Sequence, residues 1–311
     1  MSAKWTSEQI PDQHGRTAVV TGANSGLALV TARELARHGA NVVLACRNAS
    51  KGEQALATIR GVAPDAQLEL AALDLGDLES VRAFAEAFRS SHDGLDLLIN
   101  NAGVMAPPRA ETKDGFELQL GTNVLGHFAL TGRLIGAMEG RVDARVVTLS
   151  SNAHKMGRIN FEDLQSERGY SRWGAYGQSK LADLMIALEL DRRLQAAGSS
   201  VKSVAAHPGY AATNLQTAAP PLVDRLVMRV SNVFLAQSAA MGALPVLYAA
   251  TSPGLAGGSY VGPDGIGEFR GHPHVVSPNG AARDEQVAAR LWGVCEELTG
   301  VAFELGAGAA A

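Results

Sequence analysis

Cysteine is almost missing from this chain of 311 residues, where Cys46 and Cys295 are the only two. Two thiols cannot build a disulfide framework, so the fold must rest on its core, and both read as buried small hydrophobes of a cytoplasmic protein. Charge is sparse as well. Only 19% of residues are charged, and 27 basic against 31 acidic side chains leave a formal −4 with no basic block. That balance excludes a nucleic-acid partner. No apolar run reaches the roughly 18 residues of a membrane span, and the polar stretch from Met1 to Arg16 has no signal-peptide core, so no integral membrane segment is expected. Metal-ligand sets are lacking too. His272 and His274 frame a His-Pro-His that no carboxylate or cysteine set completes, so it reads as a loop and no metal is expected.

Apolar residues and glycine are plentiful. Hydrophobic residues make up 46% of the chain, enough for a large core, and 34 glycines exceed the usual share of about 7%. Such an excess points to tight turns and close backbone approach to a ligand. Short, almost continuous apolar runs recur at Thr17–Thr21, Asn41–Ala45, Leu68–Ala71, Leu95–Asn100, Arg145–Ser150 and Val201–Ala206, with Gly258–Gly262 as a seventh. Runs of this kind predict buried parallel strands. Helical patterns fill the gaps: Leu78, Val81, Phe84 and Phe88 form one stripe after an N-cap at Asp77, and Leu181, Leu184, Met185 and Leu188 form another on a helix beginning near Trp173. Asp114–Met138 also reads as helical. The alternation predicts an α/β fold with a doubly wound parallel sheet of about seven strands and helices on both faces. Neither a repeat nor a linker divides the chain, so residues 1–311 read as one domain. An apolar stretch, Pro220–Gln237, within a lid segment of about 210–240, follows the sixth strand, and a Gly/Ala tail closes the chain from Gly306.

The first strand runs into Thr21-Gly22-Ala23-Asn24-Ser25-Gly26-Leu27-Ala28 and then a helix. Glycines there let a pyrophosphate approach a helix N-terminus, whose free N–H groups and dipole favour anions, although a plain strand–helix turn uses the same residues. A carboxylate about 20 residues further on would mark an NAD site. The second strand instead ends Ala45-Cys46-Arg47, with no carboxylate to repel a 2′-phosphate and one guanidinium to bind it. NADP(H) is therefore favoured over NAD(H), with Arg47 as a solvated surface charge the alternative. Asp74-Leu75 closes the third strand, where Asp74 either accepts from an adenine amino group or caps a turn. Asn100-Asn101-Ala102-Gly103 ends the fourth strand at the topological switch point, as a cofactor wall or an ordinary turn.

Tyr176 and Lys180 are four residues apart on the helix that begins near Trp173, so they share a face. A free phenol has a pKa near 10, and lowering one by about three units takes about 4 kcal/mol of phenolate stabilisation. One ammonium about 4 Å away at an effective dielectric near 20 supplies that much, so the pair is able to exchange a proton with a substrate oxygen. Alone, a Tyr and a Lys at this spacing are also common surface neighbours. Ser150-Ser151 ends the fifth strand, where a hydroxyl either stabilises charge on a substrate carbonyl or caps a turn. Asn123 either holds a water near Lys180 or caps a helix bend. His207-Pro208-Gly209 follows the sixth strand, with His207 as a strand-end histidine. Pro208, Gly209 and Thr213 are placed to contact a nicotinamide carboxamide.

Thr21–Ala28, Asn100–Gly103, Ser151, Tyr176-Gly-Gln-Ser-Lys180 and Pro208-Gly209 occur in the order seen in short-chain dehydrogenases/reductases, and the resemblance covers roughly residues 14–265. Leu44-Ala45-Cys46-Arg47 with Lys51-Gly52-Glu53, Phe161-Glu162-Asp163-Leu164 leading through Tyr170-Ser171 to Tyr176, and the long spacing from Ser151 to Tyr176 resemble its retinol-dehydrogenase-like branch. The resemblance implies a Rossmann-type fold and a catalytic tetrad of Asn123, Ser151, Tyr176 and Lys180. In it Tyr176 is the general acid/base, Ser151 orients the carbonyl, Lys180 stabilises the phenolate and holds a ribose, and Asn123 holds a water. It also implies a cofactor site of Gly22, Asn24, Ser25, Gly26, Leu27, Arg47, Asp74, Leu75, Asn101, Ala102, Gly103, Tyr176, Lys180, Pro208, Gly209 and Thr213. Ala28 departs from the fingerprint by replacing its third glycine. The expected activity is an NADP(H)-dependent exchange of carbonyl and alcohol on an apolar small molecule, and the resemblance is compatible with a homodimer through the helices carrying Asn123 and Tyr176. A non-catalytic nucleotide sensor on the same fold is the rival reading. A sugar-nucleotide epimerase fits less well, because Ala23-Asn24-Ser25 puts three residues between the first two glycines where those enzymes usually have two.

Overall fold

The continuous apolar runs are strands because helices cover both of their faces. A computed structural model describes residues 4–210 and 237–306. Among them, β1 (Thr17–Thr21), β2 (Asn41–Cys46), β3 (Leu68–Ala72), β4 (Leu97–Asn100), β5 (Arg145–Leu149), β6 (Lys202–Ala206), β7 (Tyr260–Pro263) and β8 (Pro273–Val276) form one sheet in the order β3-β2-β1-β4-β5-β6-β7-β8. Every pairing is parallel except β7 with β8. The helices are α1 (Gly26–Arg37), α2 (Ala49–Arg60), α3 (Leu78–Ser91), α4 (Gly126–Leu134), α5 (Arg172–Ala196), α6 (Ala239–Thr251) and α7 (Glu285–Thr299).

Side chains that alternate along each strand divide the interior into two cores. Val19, Val43, Leu98 and Val146 pack with Phe84 of α3, Phe128 of α4, Leu184 of α5 and Trp292 of α7. Val20, Val42, Ile99 and Val147 pack on the other face with Leu35 of α1, Ile59 of α2 and Leu247 of α6. Asp77 caps α3 as its sequence predicts, accepting from the N–H groups of Glu79 and Ser80, and Val81, Phe84 and Phe88 are buried below it. The strand order reverses between β1 and β4, so a crevice opens over their carboxyl ends.

Three expectations change. The third strand was expected to be buried but is the sheet edge, and its residues are half-buried or exposed. Asp114–Met138 is not one helix. A turn and an isolated bridge between Glu111 and Glu117 precede a π-helical turn at Leu120–Leu125, then α4 and a short 3₁₀ turn. Gly115, with φ +84°, breaks the pattern at its start. His-Pro-His is not a loop throughout, since Pro273 and His274 lie in β8, an antiparallel strand on the far edge. Proline is tolerated there because the first residue of an edge strand need not donate to the ladder. Thr213, the tail beyond Gly306 and the apolar segment up to residue 236 lie outside the described residues. No described helix is long and apolar enough to cross a membrane.

Candidate active site

At the end of β1 the chain turns on Gly22, whose φ of +68° disfavours any side chain. A Cβ at Gly22 would also come within 3.0 Å of Ala102 Cβ, so the glycine loop nests against the loop after β4. Ser25 is the N-cap of α1, yet its hydroxyl makes no capping hydrogen bond. The orphan N–H groups of the first helical turn therefore remain available to an anion. Gly26 and Leu27 line a cleft of about 400 Å³ together with Gly22, Asn24, Ser25, Arg47, Asp74, Leu75, Asn101, Ala102 and Gly103. Eleven predicted cofactor residues thus share one surface. Ala28 is buried, its methyl absorbed where α1 packs on the sheet.

Asn48, Lys51, Val104 and Thr122 line the same cleft and were missed as site residues. Lys51 had a readable signal. Asn48 caps α2 by accepting from the Lys51 N–H at 2.9 Å, which sets the lysine in the first turn, close behind Arg47. Arg47 is largely exposed, with Nη1 3.9 Å from Asp74 Oδ2. Asp74 Oδ1 accepts from the Gly76 N–H at 2.9 Å, so the residue does cap a turn while lining the cleft. Burial pushes the Cys46 thiol up to about 11, in keeping with an inert small hydrophobe.

The loop after β4 is held from beneath. Thr21 Oγ1 accepts from the N–H groups of Asn101 and Ala102, each at 3.0 Å, and lies 3.0 Å from His127 Nε2. His127 Nδ1 lies 2.8 Å from the Asn123 carbonyl, so Nδ1–H donates there and Nε2 accepts from the threonine. Burial lowers the His127 pKa to about 4, which keeps the ring neutral. Asn123 is fully buried in the π-helical turn. Its side chain donates to Val104 O and Ser179 Oγ, each at 3.0 Å, and accepts from the Val104 N–H at 2.8 Å.

Tyr176 and Lys180 are buried one turn apart on α5, and Tyr176 meets the Trp173 ring edge-on at 6.0 Å between centroids. Lys180 Nζ donates to Leu149 O at 2.9 Å and to Asp183 Oδ2 at 2.8 Å. Burial disfavours the ammonium, but Asp183 and Tyr176 outweigh it and hold its pKa above the ordinary lysine value. Ser150 and Ser151 separate cleanly. Ser150 is buried and donates to the Lys180 carbonyl at 2.7 Å, whereas Ser151 is partly exposed and caps the 3₁₀ turn Asn152–Met156 through Ala153 N.

Beyond β6, Gly209 has φ +65°, and a Cβ there would stand 2.4 Å from Phe269 O. Pro208 O accepts from Gln237 Nε2 at 2.6 Å. These contacts tie the strand end to the turn after β7 and to the residues just before α6. His207 is fully buried, with Nε2 3.0 Å from Glu268 Oε2. The close approach of His207 and the Lys155 ammonium outweighs burial and holds Glu268 down at about 2. The tetrad and the Pro208-Gly209 pair stand beside the cleft rather than in its lining. Leu149 and Val104 do line it, and they carry the Lys180 and Asn123 hydrogen bonds.

Residues 16–221 match the short chain dehydrogenase family. The chain belongs to the short-chain dehydrogenase family. It falls in the retinol-dehydrogenase-like branch of these oxidoreductases. It is 43% identical to human retinol dehydrogenase 12 over 302 residues, covering 96% of this chain and 90% of the relative. It is 42% identical to mouse polyprenol dehydrogenase over 296 residues, covering 94% and 86%. A crystal structure of an uncharacterised protein from Mycobacterium paratuberculosis superposes with a TM-score of 0.82 at 47% identity, covering 97% of this chain and all of that one. Another structure, from Beutenbergia cavernae with bound NADP, is 25% identical with a TM-score of 0.63, covering 80% and 95%.

Proposed function

We propose that this short-chain dehydrogenase interconverts an alcohol and a carbonyl on an apolar small molecule with NADP(H), and that Tyr176 exchanges the proton. One observation carries the reading. A single cleft runs from the uncapped start of α1 to Leu149, the residue that anchors the Lys180 ammonium. The residues present fit a dinucleotide: a positive-φ glycine packed on Ala102, open helix N–H groups, and a buried Asn101 Oδ1 with no partner among the described residues. Arg47 and Lys51 at the mouth would hold a 2′-phosphate, and Cys46 leaves that strand end without a carboxylate. The Beutenbergia structure, described as NAD(P) dependent and holding NADP at low occupancy, supports a nicotinamide dinucleotide in this cleft.

The bound dinucleotide supplies hydride exchange with the substrate carbon; the chain's own residues handle the oxygen and its proton. Ser151, the exposed serine of its pair, donates a hydrogen bond to the oxygen and steadies its growing charge. Tyr176 gives its hydroxyl proton during reduction and takes it back during oxidation. Lys180 has one ammonium donor beyond Leu149 and Asp183 to offer to a ribose hydroxyl. The retinol and polyprenol dehydrogenases among the relatives support a lipophilic substrate. The test is oxidation of NADPH and NADH with aldehydes and ketones of increasing apolar chain length, and the reverse with alcohols. Turnover that favours NADPH and longer chains is expected; no turnover with any compound in either direction overturns the reading.

A further inference from the structure

We propose that Asp183 is a positioning residue for the reacting pair, its carboxylate clamping the Lys180 ammonium and offsetting part of that ammonium's field at the Tyr176 phenol. The inference rests on Tyr176 being the proton-exchanging group.

The geometry is that of a buried ion pair. The two side chains are 6% and 4% exposed, and the 2.8 Å contact joins residues three apart on one helix face. A buried charge is tolerated only when paired and hydrogen-bonded, so neither member is a surface accident. Lysine alone already meets the requirement for a cation beside the phenol, which leaves the carboxylate unexplained by the proton exchange itself. Its position explains it. Asp183 also borders a small, partly open cavity of about 20 Å³ whose lining is mostly apolar, where Asn100, His127, Thr131 and Thr148 stand among Val124, Phe128, Val146 and Phe303. Asn100 Nδ2 donates to Thr131 Oγ1, while its buried Oδ1 has no partner among the described residues. The carboxylate thus stands between the Lys180 ammonium and a mostly apolar pocket, so the ammonium is its one cationic partner at hydrogen-bond distance among the described residues.

The neighbouring titratable groups leave the pair's charges unopposed at neutral pH. From the α4 side His127 is held neutral by burial, with Lys180 adding to that effect. From α7 the Cys295 thiol is pushed up, mainly by burial and further by Asp183. On α5 itself only Tyr176 faces Lys180 in the same way. Burial raises the Asp183 carboxyl to about 6 against the pull of Lys180, so the clamp is ionised at neutral pH and loosens below it. Removing the negative charge eases proton loss from the coupled Tyr176 and Lys180 whichever of them releases it first.

Asp183→Asn keeps the shape and an oxygen acceptor for Lys180 but deletes the charge. The phenolate of Tyr176 is titrated by near-ultraviolet absorbance, taking each protein minus its own Tyr176→Phe partner, without substrate. Seven residues at about 1.5 Å each put the charge about 10 Å away along the helix, so at an effective dielectric near 20 the midpoint moves about one pH unit lower. A midpoint that stays in place or moves upward overturns the proposal. Asp183→Ser provides the same test with a smaller side chain should the asparagine variant fold poorly, and thermal unfolding separates a structural loss from a shift in titration. Because no substrate is added, a failed carbonyl panel leaves this result readable on its own.

Discussion

Arg47 and Lys180 are cations at opposite ends of the crevice, and their surroundings are opposite. Arg47 is 74% exposed, with a carboxylate 3.9 Å away that only loosely engages it. Lys180 is 6% exposed, fixed by a carboxylate at 2.8 Å and a carbonyl at 2.9 Å. Water screens the first and leaves it free to meet the 2′-phosphate proposed for this site. The second has no water to rely on, so the fold must supply its counter-charge permanently. The same division runs along the whole cleft. The dinucleotide end is built from backbone, with Gly22 and the open N–H groups of α1, while the reacting end is a network of buried side chains. On the proposed reading, the open end would give affinity and selectivity between cofactors, and the closed end fixed geometry and control of protons.

The comparison is put at greatest strain by Tyr176→Phe. It removes the exchangeable proton from the buried end and touches nothing at the open end. A loss of about 10²–10⁴-fold in kcat is expected with cofactor affinity unchanged, measured by steady-state kinetics and by titration of NADPH fluorescence. A nucleotide sensor would lose nothing measurable from this change, so full retention of function decides for that rival.

Next comes the neutral histidine under the loop after β4. The folded pKa of His127 lies at about 4 against an ordinary 6.5, so the native state binds fewer protons than the unfolded chain between those values. Its contribution to stability is complete above pH 6.5, falls as pH drops through that window and is lost below about 4. The full span is about 3 kcal/mol at 1.36 kcal/mol per pKa unit. Denaturant unfolding of wild type and His127→Gln across that range should show the wild type losing more stability on acidification, and parallel curves would refute it.

The smallest effect belongs to the exposed cation. Arg47→Ala should weaken NADPH binding about tenfold and leave NADH binding nearly as it was, since a solvated guanidinium contributes about 1.4 kcal/mol to a charged contact. Raising salt should shrink that difference in the wild type, as screening predicts. Equal losses for the two cofactors would show that Arg47 is not read by the 2′-phosphate.

Much of this was legible in the residues. Short apolar runs marked seven of the eight strands, because a strand covered on both faces must be apolar throughout; β3 kept such a run although it lies at the sheet edge. The glycine loop, Asp77 cap and Tyr176–Lys180 spacing are local features, and local chemistry suffices to read them. β8 escaped because a proline, two histidines and neighbouring glycines look like loop until β7 offers an edge to pair with. The turn before Leu118 and the π-helical stretch at Leu120–Leu125 escaped because helical spacing shows neither where a helix starts nor which hydrogen-bond register it keeps.

The amino-acid order therefore determined where backbone would bend around a dinucleotide and which helix would carry the phenol and the amine, because turns and helical faces are set by near neighbours. Tertiary structure alone decided that Ser150 would brace Lys180 while Ser151 stayed accessible, and that Asp183 would meet the ammonium away from water. Burial is a property of the whole packed molecule, and the strength of a charge depends on burial.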